Sequence, residues 1–484
     1  MERRTFLLST GLVLLTGRAR GKRAPRPNIL FAISDDQSFA HTGAMGDPVV
    51  RTPTFDRVAR EGVLFTRTYC SSPSCTPSRG AILTGQAFWR LEQGANLWST
   101  LPARFPVYPE LLEAAGYRVG FTRKGWGPGN AEAGGRTRNP AGPRFRDFET
   151  FLDGCPEGAP FSFWFGSTDP HRNYERGSGV RAGKRLDDVR VPAFLPDVPE
   201  VRGDIADYSV EIERFDTQLG QMLEVLEKRG ELDNTLVVVT SDNGMPFPRA
   251  KANLYDYGTH MPLAVRWPEA VPGGRVVDDF ISFTDFAPTF LEAAGLVPRA
   301  ETTGSSLLDI LTSTKAGRVD PKRDHVVCGR ERHAWVRPGG LGYPSRAFRT
   351  GDFLYIRNFE PGRWPAGDPE WYGDCDNMNR YAPSKGYMLE HRDEPQVREL
   401  FALAFGKRPA EELYDLAADP YEMRNVAALE TYADTKARLR AQLDGYLTET
   451  GDPRMTAAHP PFDEYEYYGG TPLFPPEQSE KGTP

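Results

Sequence analysis

Two short runs of unbroken apolar residues constrain this chain more than anything else in it. Residues 28–33 read NILFAI and run into Ser34-Asp35-Asp36. Residues 236–240 read LVVVT and run into Ser241-Asp242-Asn243-Gly244. Neither run alternates with polar residues, so neither predicts a strand with one wet face, and both are too short to cross a bilayer. Strands that are apolar on both faces belong inside a parallel sheet covered by helices on both sides. A third run of this kind, FSFWF at 161–165, ends near Asp169-Pro170-His171.

Helical patterns fall between these strands. Residues 54–62 (TFDRVAREG), 108–116 (YPELLEAAG) and 204–229 predict helices, and residues 117–122 a further strand. Residues 280–294 (FISFTDFAPTFLEAA) add one more strand and helix. The alternation predicts an α/β fold: a mostly parallel central sheet flanked by helices. Open sheets of this class bind ligands beyond the carboxyl ends of their strands, where the acidic and amide residues fall. From about residue 322 the pattern changes. Residues 347–359 (AFRTGDFLYIRNF) predict a hairpin around Gly351-Asp352, residues 412–416 a strand and residues 431–447 a helix. These form a smaller C-terminal α+β subdomain. The expected division is 1–26 as leader and linker, 27–321 as the main α/β domain, 322–450 as the subdomain and 451–484 as an extended tail.

The chain has 484 residues, enough for one large domain and a small one. A net charge of −7 argues against a nucleic-acid partner, which selects for a basic surface. Arg3-Arg4-Thr5-Phe6-Leu7-Leu8 resembles a twin-arginine export motif, and the apolar stretch that follows is short. The expected location is therefore periplasmic or extracellular, without stable membrane insertion. Five cysteines, Cys70, Cys75, Cys155, Cys328 and Cys375, fit no zinc spacing and leave any disulfide pairing open. The sequence sets no oligomeric state.

Chemistry gathers at the strand ends. Asp35, Asp36, Asp242 and Asn243 offer three carboxylates and an amide, a hard-oxygen set suited to Ca2+ or, less so, Mg2+. Cys75-Thr76-Pro77-Ser78-Arg79-Gly80 opens a helix, whose free N–H groups favour an anion. Arg79 lies one turn beyond Cys75. Lys124 follows the strand at 117–122, His171 follows the run at 161–165, and Lys251 precedes Leu254-Tyr255.

Together these motifs resemble those of the type I, formylglycine-dependent sulfatases of the alkaline-phosphatase superfamily, from about residue 28 to about residue 452. The similarity is carried by NILFAISDDQ at 28–37, SCTPSRG at 74–80, TDPHR at 168–172, SDNG at 241–244, and ELYDL with DPYE between 412 and 422. Within that family, DNGMPFP at 242–248, Asn253-Leu254-Tyr255, Gly258-Thr259 and DPHR at 169–172 are most similar to the heparan N-sulfatases (sulfamidases).

The resemblance implies that Cys75 is converted to formylglycine by a formylglycine-generating or radical maturation enzyme. The hydrated aldehyde then attacks sulfur. It implies a metal held by Asp35, Asp36, Asp242, Asn243 and the modified Cys75. Arg79 holds the modified side chain, Lys124 and Lys251 bind sulfate oxygens, and His171 gives a proton to the leaving group. The expected substrate is a sulfated carbohydrate, with N-sulfoglucosamine of heparan-type glycans first. An O-sulfatase on another glycan or an aryl sulfate, a phosphodiesterase or phosphonate hydrolase, and a non-catalytic sulfoglycan-binding protein are the alternatives. Asp169, Arg172, Tyr255, His260, Glu331, Arg332 and His333 are the candidates for substrate contact. The chain departs from the family at Trp126, where many members carry a His. Indole has no basic nitrogen, so either another group, His41 or His260, takes that role, or turnover differs.

Overall fold

The computed structural model describes residues 26–374 and 382–470. The export motif and Cys375 therefore lie outside the described residues, as does the tail beyond 470. Eight strands build the main sheet: β1 (Asn28–Ser34), β2 (Val63–Tyr69), β3 (Arg118–Arg123), β4 (Phe161–Gly166), β5 (Thr235–Ser241), β6 (His260–Arg266), β7 (Arg275–Val277) and β8 (Ile281–Ser282). Their order is β3-β4-β1-β5-β6-β2-β7, with β8 also paired to β2. Strands β3, β4, β1 and β5 run parallel, so Phe31 sits between Trp164 and Val238. The exception is β6, which is antiparallel to both β5 and β2. The sheet is thus mostly parallel, as the apolar runs predict, with one reversed strand inside it.

The two-residue period of β1 feeds two separate cores. Ile29, Phe31 and Ile33 point to one face, where Phe31 meets Trp164 edge-on at 4.8 Å and packs on Phe286 and Phe290. Helices Cys75–Thr84, Tyr108–Ala114 and Phe286–Ala293 cover this side. Leu30 and Ala32 point to the other face, against Phe163, Phe215 and Leu219. Helices Pro53–Glu61 and Pro199–Lys228 cover that side. Each fully buried large apolar side chain contributes about 1.5–3 kcal/mol, and β1 buries Ile29, Leu30, Phe31 and Ile33.

The Pro199–Lys228 helix starts on a proline and buries Ile205, Tyr208, Ile212, Phe215, Leu219 and Leu223 at helical spacing. It also buries carboxylates that hold neighbouring segments. Asp216 accepts from the Thr54 and Phe55 amides at 2.9 and 2.7 Å, capping the Pro53–Glu61 helix from outside.

Strands β9 (His325–Arg330), β10 (Ser345–Thr350), β11 (Phe353–Asn358) and β12 (Glu411–Asp415) form a second, antiparallel sheet in the order β12-β11-β10-β9. The β10–β11 hairpin turns at Gly351-Asp352. Helix Ala433–Glu449 lays Leu439, Leu443 and Leu447 on Val327, Phe348 and Tyr355. A buried ionic knot joins the far end of this sheet to the chain beyond the helix. Arg346 reaches Glu331 at 2.8 Å and Asp452 at 2.6 Å, and Arg454 reaches Glu331 at 2.7 Å. Among the described residues no helix is long and apolar enough to cross a membrane.

Candidate active site

Because β1, β3, β4 and β5 are parallel, their carboxyl ends share one edge of the sheet. Asp35 and Asp36 leave β1, Lys124 leaves β3, His171 follows β4, and Asp242 and Asn243 leave β5. The Cys75–Thr84 helix begins against this edge. Its capping residue Ser74 turns its hydroxyl to His333 Nδ1 at 2.8 Å instead of to the helix, which leaves the first-turn amides to other partners.

Asp36 has a φ of 74°, a left-handed conformation rare for a non-glycine residue. Tyr208 steadies it by donating its hydroxyl to the Asp36 carbonyl at 2.9 Å. The turn brings the Asp36 carboxylate between Asn243 Nδ2 and Lys251 Nζ, both at 2.7 Å. Asp242 accepts from the Asp36 amide at 3.1 Å and from Arg79 Nε at 2.8 Å. Lys124 Nζ lies 2.6 and 2.7 Å from the two oxygens of Asp35. Gly166 makes that possible. A Cβ there would stand 1.6 Å from the Lys124 carbonyl, whereas the glycine lets its own carbonyl accept from the Lys124 amide at 2.9 Å.

Cys75 Sγ sits at the centre of this arrangement and is buried. It lies 3.3 Å from Lys124 Nζ, 3.7 Å from Lys251 Nζ and 3.7 Å from Asp35 Oδ1. Burial pushes the thiol up to about 12 despite the two ammonium groups. Burial also opposes charge on Asp35, but Lys124, His171 and Arg79 outweigh it and hold the carboxyl below its ordinary range. Desolvation works against Lys124 and Lys251 too, yet the facing carboxylates raise both. Arg79 is fully buried. Beside Asp242 it donates to the Lys124 and Gly125 carbonyls at 3.1 and 2.9 Å, tying the β3 exit to the β5 exit.

The residues present fit a hard cation. Ligand atoms of Asp35, Asp36, Asp242 and Cys75 all lie within 4.8 Å of one another. Asn243 Oδ1 is buried beside them with no hydrogen-bond partner, an acceptor left for a ligand. Three carboxylates and an amide oxygen are the donor set that Ca2+ or Mg2+ takes. Asp35, Cys75, Lys124, His171 and Lys251 open onto a cavity of about 580 Å3. His171 is half-buried at its edge, with Nε2 3.9 Å from Asp36 and Nδ1 2.7 Å from the Arg172 carbonyl.

The sequence candidates thus divide. Asp35, Asp36, Cys75, Arg79, Lys124, His171, Asp242, Asn243 and Lys251 come together. Arg172 also lines the cavity, but its guanidinium is forked onto Asp204 at 2.7 Å in both contacts and clasped between Tyr174 and Phe247. Asp169, Tyr255, His260, Glu331, Arg332 and His333 are not among the lining residues. Asp169 pairs with Arg214 at 3.2 Å. Tyr255 donates to Glu412 at 2.8 Å. His260 is stacked between Phe39 and Tyr69 and bonds the Thr66 carbonyl at 2.8 Å. Glu331 belongs to the ionic knot, and Arg332 donates to the Tyr465 carbonyl at 2.6 Å. His333 braces Ser74, and burial depresses its imidazole to about 3. The side chains of these residues are engaged by neighbouring groups and do not line the cavity.

His41 bonds Asp47 at 2.9 Å, and neither it nor His260 lines the cavity beside Trp126. Trp126 itself is buried and forms part of the cavity wall. Sequence reasoning missed Phe121, Arg123, Asn139 and Arg144, which also line the cavity. The first two flank Lys124 in the chain and were open to being found. Arg144 carries no local signal, since pairing of its segment with Phe121 brings it there.

Comparison with known proteins gives the family of the chain. The sulfatase family model matches residues 27–296. The N-sulphoglucosamine sulphohydrolase of Homo sapiens is 29% identical, with 92% of this chain and 94% of that protein covered. An ulvan-active sulfatase of Formosa agariphila is 28% identical, covering 89% and 76%. A solved structure in complex with its substrate D-glucosamine-2-N,6-O-disulfate aligns with a TM-score of 0.65 at 20% identity, covering 90% of this chain and 100% of the other. That last likeness is one of fold. With the family match spanning more than half of its length, this chain belongs to the sulfatases and is a hydrolase of sulfate esters.

Proposed function

We propose that this chain is an exported, metal-dependent sulfohydrolase of sulfated sugars that uses Cys75 in its formylglycine form, with N-sulfoglucosamine as its first substrate. The observation that carries the reading is the setting of Cys75 Sγ, 3.3 and 3.7 Å from two lysines and beside three carboxylates. Burial raises the unmodified Cys75 thiol, which disfavours its thiolate and is in keeping with conversion of this side chain before it acts. A cation held by Asp35, Asp36, Asp242 and Asn243 would supply positive charge toward a sulfate oxygen and the attacking oxygen. Lys124 and Lys251 project ammonium groups to the same point and bind the remaining sulfate oxygens. Arg79 is a positioning residue that keeps Asp242 and the Lys124 segment in register. His171 is the histidine of the cavity lining, and it stands where a leaving nitrogen or oxygen needs a proton.

In this reading residues 27–321 carry the chemistry and 322–450 brace it. Trp98 and Trp126 form a wall against which a sugar ring packs. The 29% identity to N-sulphoglucosamine sulphohydrolase supports an N-sulfate, while the ulvan-active relative at 28% keeps O-sulfated glycans as the second reading. Two measurements test this. Mass spectrometry of the Cys75 peptide from the native host reads the conversion. A turnover panel of N-sulfated and O-sulfated sugars reads the specificity. Turnover of N-sulfoglucosamine supports the first reading and turnover of O-sulfates alone the second. An unmodified, inactive protein overturns both.

A further inference from the structure

The cavity carries more positive charge than one reacting sulfate requires. Arg123, Lys124, Arg144, His171, Arg172 and Lys251 line it, against the one carboxylate of Asp35. Most of these cations have work elsewhere. Lys124 sits on Asp35, Lys251 on Asp36, and Arg172 on Asp204. Arg123 and Arg144 differ. Both are exposed at the cavity, and among the described residues neither guanidinium has a hydrogen bond, an ion pair or a ring contact.

The backbone places these two side chains on paired segments. Arg144 faces Phe121 across a parallel bridge, closed by the Phe121 amide on the Pro143 carbonyl at 2.9 Å and the Phe145 amide on the Phe121 carbonyl at 2.7 Å. Arg123 ends β3 two residues beyond Phe121 with a φ of 59°, a left-handed turn that leads into Lys124. Both guanidinium groups line the same cavity, so an anion bound there can meet both. A guanidinium is the side chain best shaped for a sulfate or carboxylate, which it grips through two N–H groups at once. The cavity, about 580 Å3, is in the range that holds a small ligand, and it has Lys124 and Lys251 at its floor and aromatic Trp98 and Trp126 in its wall.

We infer that Arg123 and Arg144 form a second anion subsite. It takes a sulfate or carboxylate other than the group being removed, and so selects polyanionic sugars over singly charged ones. This rests on the sulfated-sugar reading above. It assigns to these two arginines a specificity role distinct from the reacting centre.

Calorimetric titration of the full-length chain carrying Cys75→Ala, with Ca2+ present, tests it apart from turnover. The probes are N-sulfoglucosamine, its 6-O-sulfated form, and a disaccharide of a uronic acid and N-sulfoglucosamine. At least one doubly charged probe is expected to bind about tenfold tighter than the first. That advantage falls to about twofold or less in Arg123→Gln/Arg144→Gln. The probe that shows the advantage identifies the second anion as sulfate or carboxylate. Arg144→Gln alone, which leaves the left-handed turn at Arg123 untouched, is expected to lose part of it. Equal binding of all three probes overturns the subsite, as does an advantage that survives both substitutions. Active protein that turns over none of these probes while the binding pattern holds defeats the substrate reading alone. Failure to bind any probe defeats both.

Discussion

Lys124 Nζ spans both oxygens of Asp35 at 2.6 and 2.7 Å while standing 3.3 Å from Cys75 Sγ. One side chain thus neutralises a buried carboxylate and faces Cys75. Lys251 does the same for Asp36, at 2.7 Å from the carboxylate and 3.7 Å from the sulfur. The paired lysines explain how adjacent buried aspartates are tolerated at the end of an apolar strand.

Lys124→Ala removes a cation from the substrate and a partner from Asp35. The expected loss in kcat/KM is roughly 100- to 1,000-fold. Breaking one side of a buried pair also costs about 3–5 kcal/mol when no metal is bound. Lys124→Arg keeps the charge and recovers stability more than rate. Steady-state kinetics beside denaturant melts separates the two effects. Equal recovery of both would argue against a role in catalysis.

Removal of the cation should destabilise the fold. Asp35, Asp36 and Asp242 converge, and Asn243 Oδ1 has no protein partner. A ligand held at 100 times its Kd stabilises by about 2.7 kcal/mol. Thermal melts with EDTA should therefore fall by several degrees and be restored by Ca2+. Asp242→Asn should blunt that response, and a melting temperature indifferent to chelator would count against the metal centre.

His260 makes the fold acid-labile. Burial depresses its imidazole from 6.5 to about 4, with Arg349 adding to the shift and Asp256 opposing it. Between those values the unfolded chain takes up a proton that the folded protein refuses. The contribution is complete above pH 6.5 and is lost as pH falls toward 4, amounting to about 3 kcal/mol. His260→Phe keeps the stack between Phe39 and Tyr69 but has nothing to protonate. Urea melts from pH 4 to 7 should show a shallower slope in that variant. An unchanged slope would assign the lability to other groups.

Glu331→Gln should act on stability and not on substrate affinity. Glu331 is buried and accepts from Arg346 and Arg454, and Arg346 also holds Asp452. Halving the anionic charge of this knot leaves a buried guanidinium under-compensated, at a cost of about 3–5 kcal/mol. Melts and KM measured together decide it. A raised KM with an unchanged melting point would return Glu331 to the substrate site.

Much of the catalytic edge was legible because parallel strands put sequence-distant motifs at one end of a sheet. The unbroken runs at β1, β4 and β5 announced their burial, and Asp35, Asp36, Asp242 and Asn243 follow them directly. The strands β2, β6 and β9 were not read. Each mixes polar and apolar residues, β6 includes Pro262, β2 and β6 pair with each other from far apart in the chain, and β9 joins β10 across the irregular connection 331–344. The clamp of Lys124 on Asp35 joins residues 89 positions apart and left no local trace. Side-chain direction was the other gap. Tyr255 and His260 lie in a motif-rich stretch, yet their partners are Glu412 and Thr66.

The bracing of Ser74 by His333 has a consequence in time. Cys75 is 2% exposed, and its immediate surroundings include a residue that follows β9, whose sheet is pinned through Glu331 and Arg346 to Asp452. A ribosome has made all but the last few dozen residues before that final latch exists. Until then Ser74, next to Cys75, lacks the contact that His333 gives it. On the proposed chemistry, a converting enzyme reaches Cys75 more readily between synthesis of residue 75 and closure by residue 452, because the finished fold leaves that side chain 2% exposed in the wall of the cavity.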